Sequence, residues 1–402
     1  MTRAIVGMWL GLGLVAGAAA AADAVEATPA QPDEIVVSAA RMPKSTREVG
    51  VSVAVIPRAR IAELNAQNVG AVLEQVADAR VKSYGAMGAE SGVALRGSSA
   101  SQVLVLLDGR PAHPPSLGMV DLALLPADQV ERIEVIRGPG SVLYGSGAMA
   151  GVVNIVSKDP PPHLQTEASA AYGTKNTRLL QLQNGATIGD LGYLITASHN
   201  ASDGWRDNSA CEGYHLTAKL DYDISLASRL ILNAGFSQQR SGVPGSTSWT
   251  SPEAKQYNRQ AWVDLTHQYE FETNTWLTSK AFLNQDWLDY KDPAMWTDDS
   301  THNQKAGLDI QQTLPLGERQ PFLGGLYLEY DRVTIKDAQG ASHIDGARQL
   351  WTGAGFLQDE ISILEKLTAT PGLRCDVQSS WGAELSPKLS ALYKLWPGTG
   401  LK

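Results

Sequence analysis

Residues Val103 to Lys158 decide the fold, with the sequence VLVLLDGRPAHPPSLGMVDLALLPADQVERIEVIRGPGSVLYGSGAMAGVVNIVSK. Three apolar runs in this stretch, VLVLL, RIEVI and GVVNIV, have the composition of short β-strands. Glycine-rich segments separate them, and these predict tight turns and close backbone approaches that a Cβ would block. The stretch therefore predicts a compact domain in which short strands alternate with sharp turns. The glycines concerned are at 138, 140, 145, 147 and 151.

Glycine-rich loops that follow strands also bind phosphate in nucleotide-binding proteins. No Gly-Lys-Ser/Thr follows these glycines, so the lysine of a P-loop is missing. Gly145-Ser146-Gly147 lacks the third glycine of the dinucleotide-binding spacing, and a strand-like run follows it instead of a helix. The residue types argue against a nucleotide site.

Composition limits the classes of function further. The chain has 402 residues, which suggests at least two domains, and a net charge of −9 without a basic cluster. That charge argues against a nucleic acid as partner. The two cysteines, Cys211 and Cys375, lack the spacing of a metal site. The sequence offers neither a nucleophile–base pair nor a pair of carboxylates for acid–base catalysis, so we predict that the protein is not an enzyme and carries no cofactor.

The N-terminus has the pattern of an export signal. Residues 1–22 contain Arg3, then an apolar run that ends in small residues. A membrane anchor is the alternative, but the run is short and no stop-transfer pattern follows it. We therefore predict a signal peptide over residues 1–22, followed by a polar linker that begins at residue 23.

The order of strands and turns over 33–160 resembles the plug domain of TonB-dependent outer-membrane receptors, and the resemblance continues more loosely to the end of the chain. It places the plug domain at 41–160 and a linker with a TonB box at 23–40. The TonB box, which in the family pairs with the periplasmic protein TonB, would be the β-prone segment Asp33, Glu34, Ile35, Val36, Val37, Ser38 and Ala39. An extended segment of this kind is suited to adding a strand to the sheet of a partner.

Two plug loops are candidates for ligand binding because such loops face outward in the family. One loop, 84–90, contains Tyr84 and Met87, and the other, 110–119, contains His113 and Ser116. The alternative for each of these residues is ordinary loop surface. No residue of either loop predicts a metal site.

From residue 161 onward the sequence alternates between apolar and polar residues. The clearest segment is 215–224, where Leu216, Leu220 and Ile224 belong to one face and polar residues to the other. Short and long connections alternate, with the long ones at 201–212, 241–257, 290–302 and 335–346, which is typical of an outer-membrane barrel. We predict a partial antiparallel β-barrel over 161–402, with twelve strands starting near 166, 178, 191, 213, 229, 258, 274, 303, 321, 347, 366 and 384.

Size indicates that twelve strands are too few to enclose the plug. A closed barrel of twelve strands has a radius of roughly 12 Å, whereas a plug of this length needs roughly 18 Å. A barrel of about 22 strands reaches roughly 22 Å and would contain it. The sequence therefore predicts an α+β plug followed by a truncated transmembrane β-barrel, with about 12 of about 22 strands.

Plugs of the family are held by arginines that pair with acids facing the barrel interior. The resemblance makes Arg96 and Arg137, which lie at two Arg-Gly corners, candidates for such a plug–barrel lock with Glu360. The positions of Cys211 and Cys375 on distant strands predict that they do not form a disulfide.

The resemblance implies a receptor in the outer membrane of a Gram-negative cell, in contact with its lipid. Its ligand would be a metal chelate, either an iron–siderophore or a cobalamin-like compound, and TonB would drive uptake into the periplasm. The alternatives are a surface-binding or signalling receptor and a truncated remnant that does not transport.

Overall fold

The computed structural model describes residues 36–37, 44–45, 50–85, 87–272, 275–316, 320–337, 346–396 and 399–401. The predicted signal peptide lies outside these residues, as do Asp33, Glu34, Ile35, Ser38 and Ala39 of the predicted TonB box. Val36–Val37 form a two-residue strand, β1, that pairs antiparallel with β2, Lys44–Ser45.

A mixed five-stranded sheet forms the centre of the plug. Its strand order is β3-β8-β9-β6-β7, with β6 and β9 parallel and the other pairs antiparallel. The three runs that the sequence marked as strands are all confirmed. A separate antiparallel pair, β4-β5, completes the plug strands. Their bounds are β3 Ser52–Pro57, β4 Ala79–Ser83, β5 Ser91–Leu95, β6 Val103–Leu107, β7 Arg110–Pro111, β8 Val130–Arg137 and β9 Gly151–Ser157.

Three short helices cover the sheet, namely α1 (Arg58–Glu63), α2 (Val69–Leu73) and α3 (Ser141–Tyr144). Asn68 caps α2 by accepting the backbone N–H of Ala71 at 3.0 Å. In the described part of the chain, 3₁₀ turns link elements at Ala100–Gln102, Leu122–Leu124, Ser146–Ala148 and Pro293–Met295. The main apolar core lies between the helices and the sheet, and all its buried members belong to the plug. The plug therefore has a core of its own.

The described strands between residues 165 and 401 form one long antiparallel sheet, which we call the wall. Thirteen strands follow one another in chain order, and β20 (Ile361–Leu364) pairs with β21 beside that path. The twelve predicted strands are all present, and a thirteenth, β23, follows them. Within the described residues β10 and β23 are the two ends of the path, so the wall is open. The strands on the path are β10 Gln165–Gly173, β11 Thr177–Ile188, β12 Leu191–Ser202, β13 Cys211–Ser225, β14 Ser228–Gly242, β15 Lys255–Glu272, β16 Thr275–Asp292, β17 Thr297–Pro315, β18 Pro321–Asp337, β19 Gly346–Asp359, β21 Leu367–Gln378, β22 Gly382–Trp396 and β23 Thr399–Leu401.

The wall exposes its apolar face and turns its polar face inward. On β13, Leu216 is 50% exposed and Ile224 is 53% exposed, whereas His215 and Asp221 are buried. The predicted alternation is therefore confirmed, and its polar side faces the plug. A sheet with an apolar outer surface and a polar inner surface is characteristic of a membrane barrel.

The connections between wall strands differ in length at the two ends of the wall. Residues 203–210 and 243–254 separate strands at one end, which we call the loop end; residues 189–190 and 226–227 do so at the other, the turn end. The predicted long connection at 290–302 is wrong, because β16 continues to Asp292 and β17 begins at Thr297. Only four residues join these two strands. Among the described residues, no helix is long and apolar enough to cross a membrane.

Candidate functional site

The interface between plug and wall contains many side-chain hydrogen bonds and a buried ion pair. Wall side chains that point inward donate hydrogen bonds to backbone carbonyls of the plug at several separate points, so they recognise plug backbone more than plug side chains. The acceptors are the carbonyls of Gly88, Asp108, Pro111, Leu143 and Lys158, and the donors are Lys219, Gln239, Ser241, Lys280, Asn284 and Arg374.

Arg110 is the centre of this interface. Its side chain is 3% exposed and lies 3.4 Å (Nε to Oδ2) from the carboxylate of Asp264 on β15, which is 1% exposed. Arg110 also donates to Asn284 of β16 and lies over the ring of Trp262, 4.7 Å from the ring centre. Lys280 lies 3.7 Å from the second oxygen of Asp264. One buried carboxylate of the wall thus faces a cation of the plug and a cation of the wall.

A tight hairpin positions Arg110. Asp108 and Gly109 have φ values of 49° and 81°, the conformation of a type I′ turn between β6 and β7. The carboxylate of Asp108 accepts the backbone N–H of Ser157 at 2.9 Å, which fixes the turn to β9. Burial lowers the pKa of Arg110, and the carboxylate of Asp264 opposes that change. The side chain therefore stays charged and depends on Asp264 for its counter-charge.

The loop with Tyr84 and Met87 contacts the wall at Gly88. The backbone carbonyl of Gly88 accepts hydrogen bonds from Gln239 Nε2 at 2.9 Å and from Ser241 Oγ at 3.1 Å. Tyr84 is 65% exposed, with the Lys82 ammonium 4.5 Å from its ring centre. Since Gln239 and Ser241 lie near the last residue of β14, this loop is at the loop end.

The second candidate loop lies against β17. Ser116 is exposed, and its backbone N–H donates to Asn303 Oδ1 at 3.0 Å. His113 is half-buried; burial, with a smaller effect of Lys305, lowers its pKa to about 4. Its imidazole is therefore neutral at pH 7. The structure places both loops on the inner side of the wall, while their role in ligand binding stays a prediction.

The three residues of the predicted lock occupy different surroundings. Arg96 is exposed and has a φ of 52°, and Arg137 is half-buried and donates to Ser52 Oγ at 3.5 Å. Glu360 is half-buried and follows directly after the last residue of β19, Asp359. Glu360 has an interaction partner, so it is not a free carboxylate. A pair between Glu360 and either arginine stays a prediction.

Helix α3 contributes an apolar contact to the interface. Leu143 packs with Leu323 and Phe356 of the wall in a small buried cluster. Beside it, Arg374 of β21 is 2% exposed, donates to the carbonyl of Leu143 at 3.3 Å and pairs with Asp376 at 2.8 Å. A wall arginine, held by its own carboxylate, thus recognises the end of a plug helix.

Two loops at the loop end are joined through side-chain hydrogen bonds. The Asn208 amide donates to the carbonyls of Val243, Ser251 and Ala254 at 3.3, 2.7 and 2.8 Å. Arg206 donates to the carbonyl of Gly245 at 2.8 Å. The loops 203–210 and 243–254 therefore form one unit beside the entrance to the plug.

The cysteines and acidic residues add no further site. Cys211 of β13 is buried, Cys375 of β21 is exposed, and both are free thiols. Within the described ranges, no group of three or more His, Cys, Asp or Glu is placed to hold a metal ion.

Sequence reasoning missed Arg110 and its partner Asp264. The signal for Arg110 was present, because an Asp-Gly pair between apolar runs predicts a tight hairpin and the arginine follows it directly. Asp264 alternates with Val263 and Leu265, so its inward direction could also have been inferred. Because the two residues lie far apart in the sequence, no local pattern indicated their contact.

Comparison with known protein families identifies both parts of the chain. Residues 45–152 match the model of the TonB-dependent receptor plug domain, and residues 163–402 match that of the TonB-dependent receptor-like β-barrel. The vitamin B12 transporter BtuB of Vibrio vulnificus is 34% identical over 179 residues, which are 44% of this chain and 29% of the transporter. The iron-regulated outer membrane virulence protein of Vibrio cholerae is 27% identical over 425 residues, covering 96% of this chain and 60% of that protein.

Solved structures agree with the fold. The pyoverdine outer membrane receptor FpvA from Pseudomonas aeruginosa superimposes with a TM-score of 0.77 at 13% identity, over 90% of this chain and 63% of the receptor. The siderophore receptor PirA from the same species gives a TM-score of 0.67 at 22% identity, over 85% of this chain and 59% of the receptor. The chain spans less than two thirds of the length of each of these proteins.

Proposed function

The chain belongs to the TonB-dependent receptors, and from that premise we propose that it binds a metal chelate and takes part in its active uptake across the outer membrane. The single observation that carries this proposal is the placement of a separately folded plug against the polar side of a sheet whose other side is apolar. In such an arrangement the sheet lies in lipid while the plug closes its interior.

The contacts between plug and wall are of a kind that allows the plug to be rearranged. Most of them are hydrogen bonds and ion pairs, which water can replace at a modest net cost of about 0.5–1.5 kcal/mol each. We propose that residues 33–39 are the TonB box and that TonB acts on the plug through them, after removal of residues 1–22. The domain bounds 23–40, 41–160 and 161–402 are part of the same proposal.

The relatives indicate the class of the ligand only in broad terms. One relative is a vitamin B12 transporter and another is an iron-regulated outer membrane protein, so cobalamin and iron–siderophores are the candidates. We propose that Tyr84, Met87, His113 and Ser116 contact the chelate, because both of their loops lie on the inner side of the wall. The lock between Glu360 and Arg96 or Arg137 would hold the plug in place.

An uptake assay tests the proposal. The full chain is expressed in a Gram-negative host that lacks its own cobalamin and siderophore receptors, and uptake of radiolabelled cyanocobalamin and ferric siderophores is measured. We expect one chelate to accumulate only in cells with active TonB, and deletion of residues 33–39 should abolish accumulation without lowering surface binding. Accumulation that does not depend on TonB would contradict the proposed mechanism.

Surface binding without transport is the second candidate. The observation in its favour is the unit formed by the loops 203–210 and 243–254, which side-chain hydrogen bonds hold together at the loop end. The same assay separates the two candidates, because this one predicts binding of a chelate at the cell surface and no TonB-dependent accumulation.

A further inference from the structure

Two neighbouring strands of the wall bring a serine and a histidine together. Ser237 of β14 lies directly opposite His215 of β13 in the pairing register, and both side chains belong to the inward face. The Ser237 hydroxyl lies 2.7 Å from His215 Nδ1, within hydrogen-bond distance. Ser237 is 7% exposed and His215 is 8% exposed, so little water competes for this contact. The two residues lie 22 positions apart in the chain, so no local motif indicates the pair.

A third side chain determines which nitrogen of the ring carries the proton. His215 Nε2 lies 3.2 Å from Asn200 Oδ1 on β12. An amide oxygen only accepts hydrogen bonds, so Nε2 carries the proton and Nδ1 keeps its lone pair. That lone pair therefore accepts the hydroxyl proton of Ser237. In this arrangement a histidine acts as general base towards a serine while a third group orients the ring.

Gly213 leaves room for the contact between Asn200 and His215. A Cβ at this position would overlap Asn200 Oδ1 and would lie 3.2 Å from His215 Nε2. A side chain here would therefore push the amide away from the ring. The glycine allows the side chains of Asn200, His215 and Ser237 to form one hydrogen-bonded row across three strands.

The serine and the histidine line a cavity between the plug and the wall. Its volume is about 40 Å³, which is enough for about three water molecules or for an acyl group of roughly the same size. The plug side of the cavity is apolar, and Leu107, Pro126 and Ile155 are among its lining residues. The cavity therefore suits the short apolar end of an ester, with the Ser237 hydroxyl beside it.

Gln260 provides a hydrogen-bond donor at the same cavity. It lies directly opposite Ser237 on β15, and it also lines the cavity. Its side chain forms a hydrogen bond with Asp286 of the next strand. A glutamine amide has two N–H donors, so this bond leaves the second for the carbonyl oxygen of a bound ester. A donor in this position stabilises the negative charge that develops on that oxygen during attack.

The same strand contains a second serine–histidine pair that lacks these features. Ser228 Oγ lies 2.9 Å from His267 Nε2 near the turn end. Within the described residues no side chain holds the other nitrogen of the His267 ring, and neither residue of this pair lines the cavity. Ser237 therefore differs from Ser228 in having an orienting group behind its histidine and space for an acyl group.

We propose that Ser237 and His215 form a nucleophilic site that hydrolyses short-chain acyl esters, separate from chelate uptake, with Asn200 as a positioning residue. The Ser237 oxygen attacks the carbonyl carbon of the ester while its proton moves to His215 Nδ1. The bond between that carbon and the alcohol oxygen then breaks, and the proton passes from Nδ1 to the departing alcohol. A water molecule attacks the acyl-serine in the same way, which releases the carboxylic acid and returns the proton to Ser237.

Acetylation by 4-nitrophenyl acetate tests this site in the full chain. The protein is incubated in detergent with an excess of the ester, quenched in acid and digested, and acetylated serines are identified by mass spectrometry. We expect an acetyl group on Ser237 and none on Ser228, because only Ser237 lines the cavity. Release of 4-nitrophenol should continue after the first equivalent, since water frees the serine again.

Matched variants assign the role of each side chain. Ser237→Ala should remove the acetylated serine, and the control Ser228→Ala should leave acetylation of Ser237 unchanged. His215→Gln should slow acetylation of Ser237 on the order of 100-fold, because a general base contributes at least this much. Asn200→Leu should slow it about tenfold, whereas Asn200→Asp, which still accepts the Nε2 proton, should restore the rate.

Three contrary results would overturn the proposal. The first is wild-type protein without acetyl-Ser237, and the second is equal acetylation of Ser237 and Ser228. The third is an equal rate in wild type and His215→Gln, which would show that the histidine is not the base. Thermal unfolding of each variant is measured in parallel, so that a misfolded variant is recognised. A loss of rate in Asn200→Leu that Asn200→Asp does not recover would contradict the positioning role.

Discussion

Replacing Arg110 by methionine should loosen the plug from the wall at its hairpin. The substitution keeps most of the side-chain volume and removes the charge that faces Asp264 at 3.4 Å. Asp264 is 1% exposed, so water cannot replace the lost cation without local opening. Breaking a buried ion pair by removing one partner costs about 3–5 kcal/mol.

Lys280 places the expected loss at the lower end of that range. Its ammonium remains 3.7 Å from Asp264 and supplies part of the counter-charge. Loss of the contact with the Trp262 ring adds about 0.5–1 kcal/mol. We therefore expect the free energy of local opening to fall by about 3.5 kcal/mol, which corresponds to roughly 400-fold faster amide exchange in the hairpin.

Hydrogen exchange followed by mass spectrometry measures this opening in peptides that cover residues 105–116. The matched control is Arg60→Met, because Arg60 also pairs with a glutamate, Glu63, but is 53% exposed, and exposed pairs contribute about 0–1 kcal/mol. The double variant Arg110→Met, Asp264→Asn should recover part of the protection from exchange, because it removes the buried carboxylate that would otherwise lack part of its counter-charge. The reasoning is refuted if amide exchange in Arg110→Met becomes less than fivefold faster. It is also refuted if the loss of protection in the double variant equals the sum of the losses in the two single variants.

Three further predictions concern the plug and the loop end. Gly88→Ala should destabilise the plug by about 1–3 kcal/mol more than Gly97→Ala in thermal unfolding, because both have positive φ but only the Cβ at 88 would meet Cys211, at 2.6 Å. Burial raises the pKa of Asp121 to about 7, so its contribution to stability is complete below about pH 4 and is lost as the pH rises through 7. When the free energy of unfolding is measured at pH 5 and pH 8, Asp121→Asn should therefore gain stability relative to wild type at the higher pH. An equal difference between variant and wild type at both pH values would contradict the raised pKa. Asn208→Ala removes three hydrogen bonds between loops and should speed trypsin cleavage within 203–210 at least tenfold, whereas unchanged cleavage would show that the loops are held by other contacts.

Local patterns were enough to predict the elements of this fold. Period-two alternation placed the start of every predicted wall strand except β17 within three residues, as for β12 at Leu191 and β18 at Pro321. The reason is physical, because a strand between lipid and a polar interior must alternate along its whole length. The connection at 290–302 was mispredicted because its polar residues alternate without an apolar face, and β16 and β17 continue there beyond the apolar band.

The contacts of the candidate site could not be predicted in the same way. Arg96 and Arg137 stood out because each precedes a glycine, whereas the arginine buried against the wall is Arg110. Which arginine meets a carboxylate depends on how the plug is oriented inside the wall. That orientation is determined by contacts between residues more than a hundred positions apart, such as Arg110 with Asp264, and no local pattern reports it.

The chemistry of the interface is compatible with the movement of the plug that the proposed uptake requires. Its main core lies within the plug, so a change in plug position need not expose it. Its apolar contacts with the wall include the small cluster of Leu143, Leu323 and Phe356. The polar contacts near water can be exchanged for hydration at little net cost. The buried pair of Arg110 and Asp264 is the exception, since its separation leaves two desolvated charges. We therefore expect remodelling of the plug to begin away from the β6–β7 hairpin and to leave that pair intact for longest.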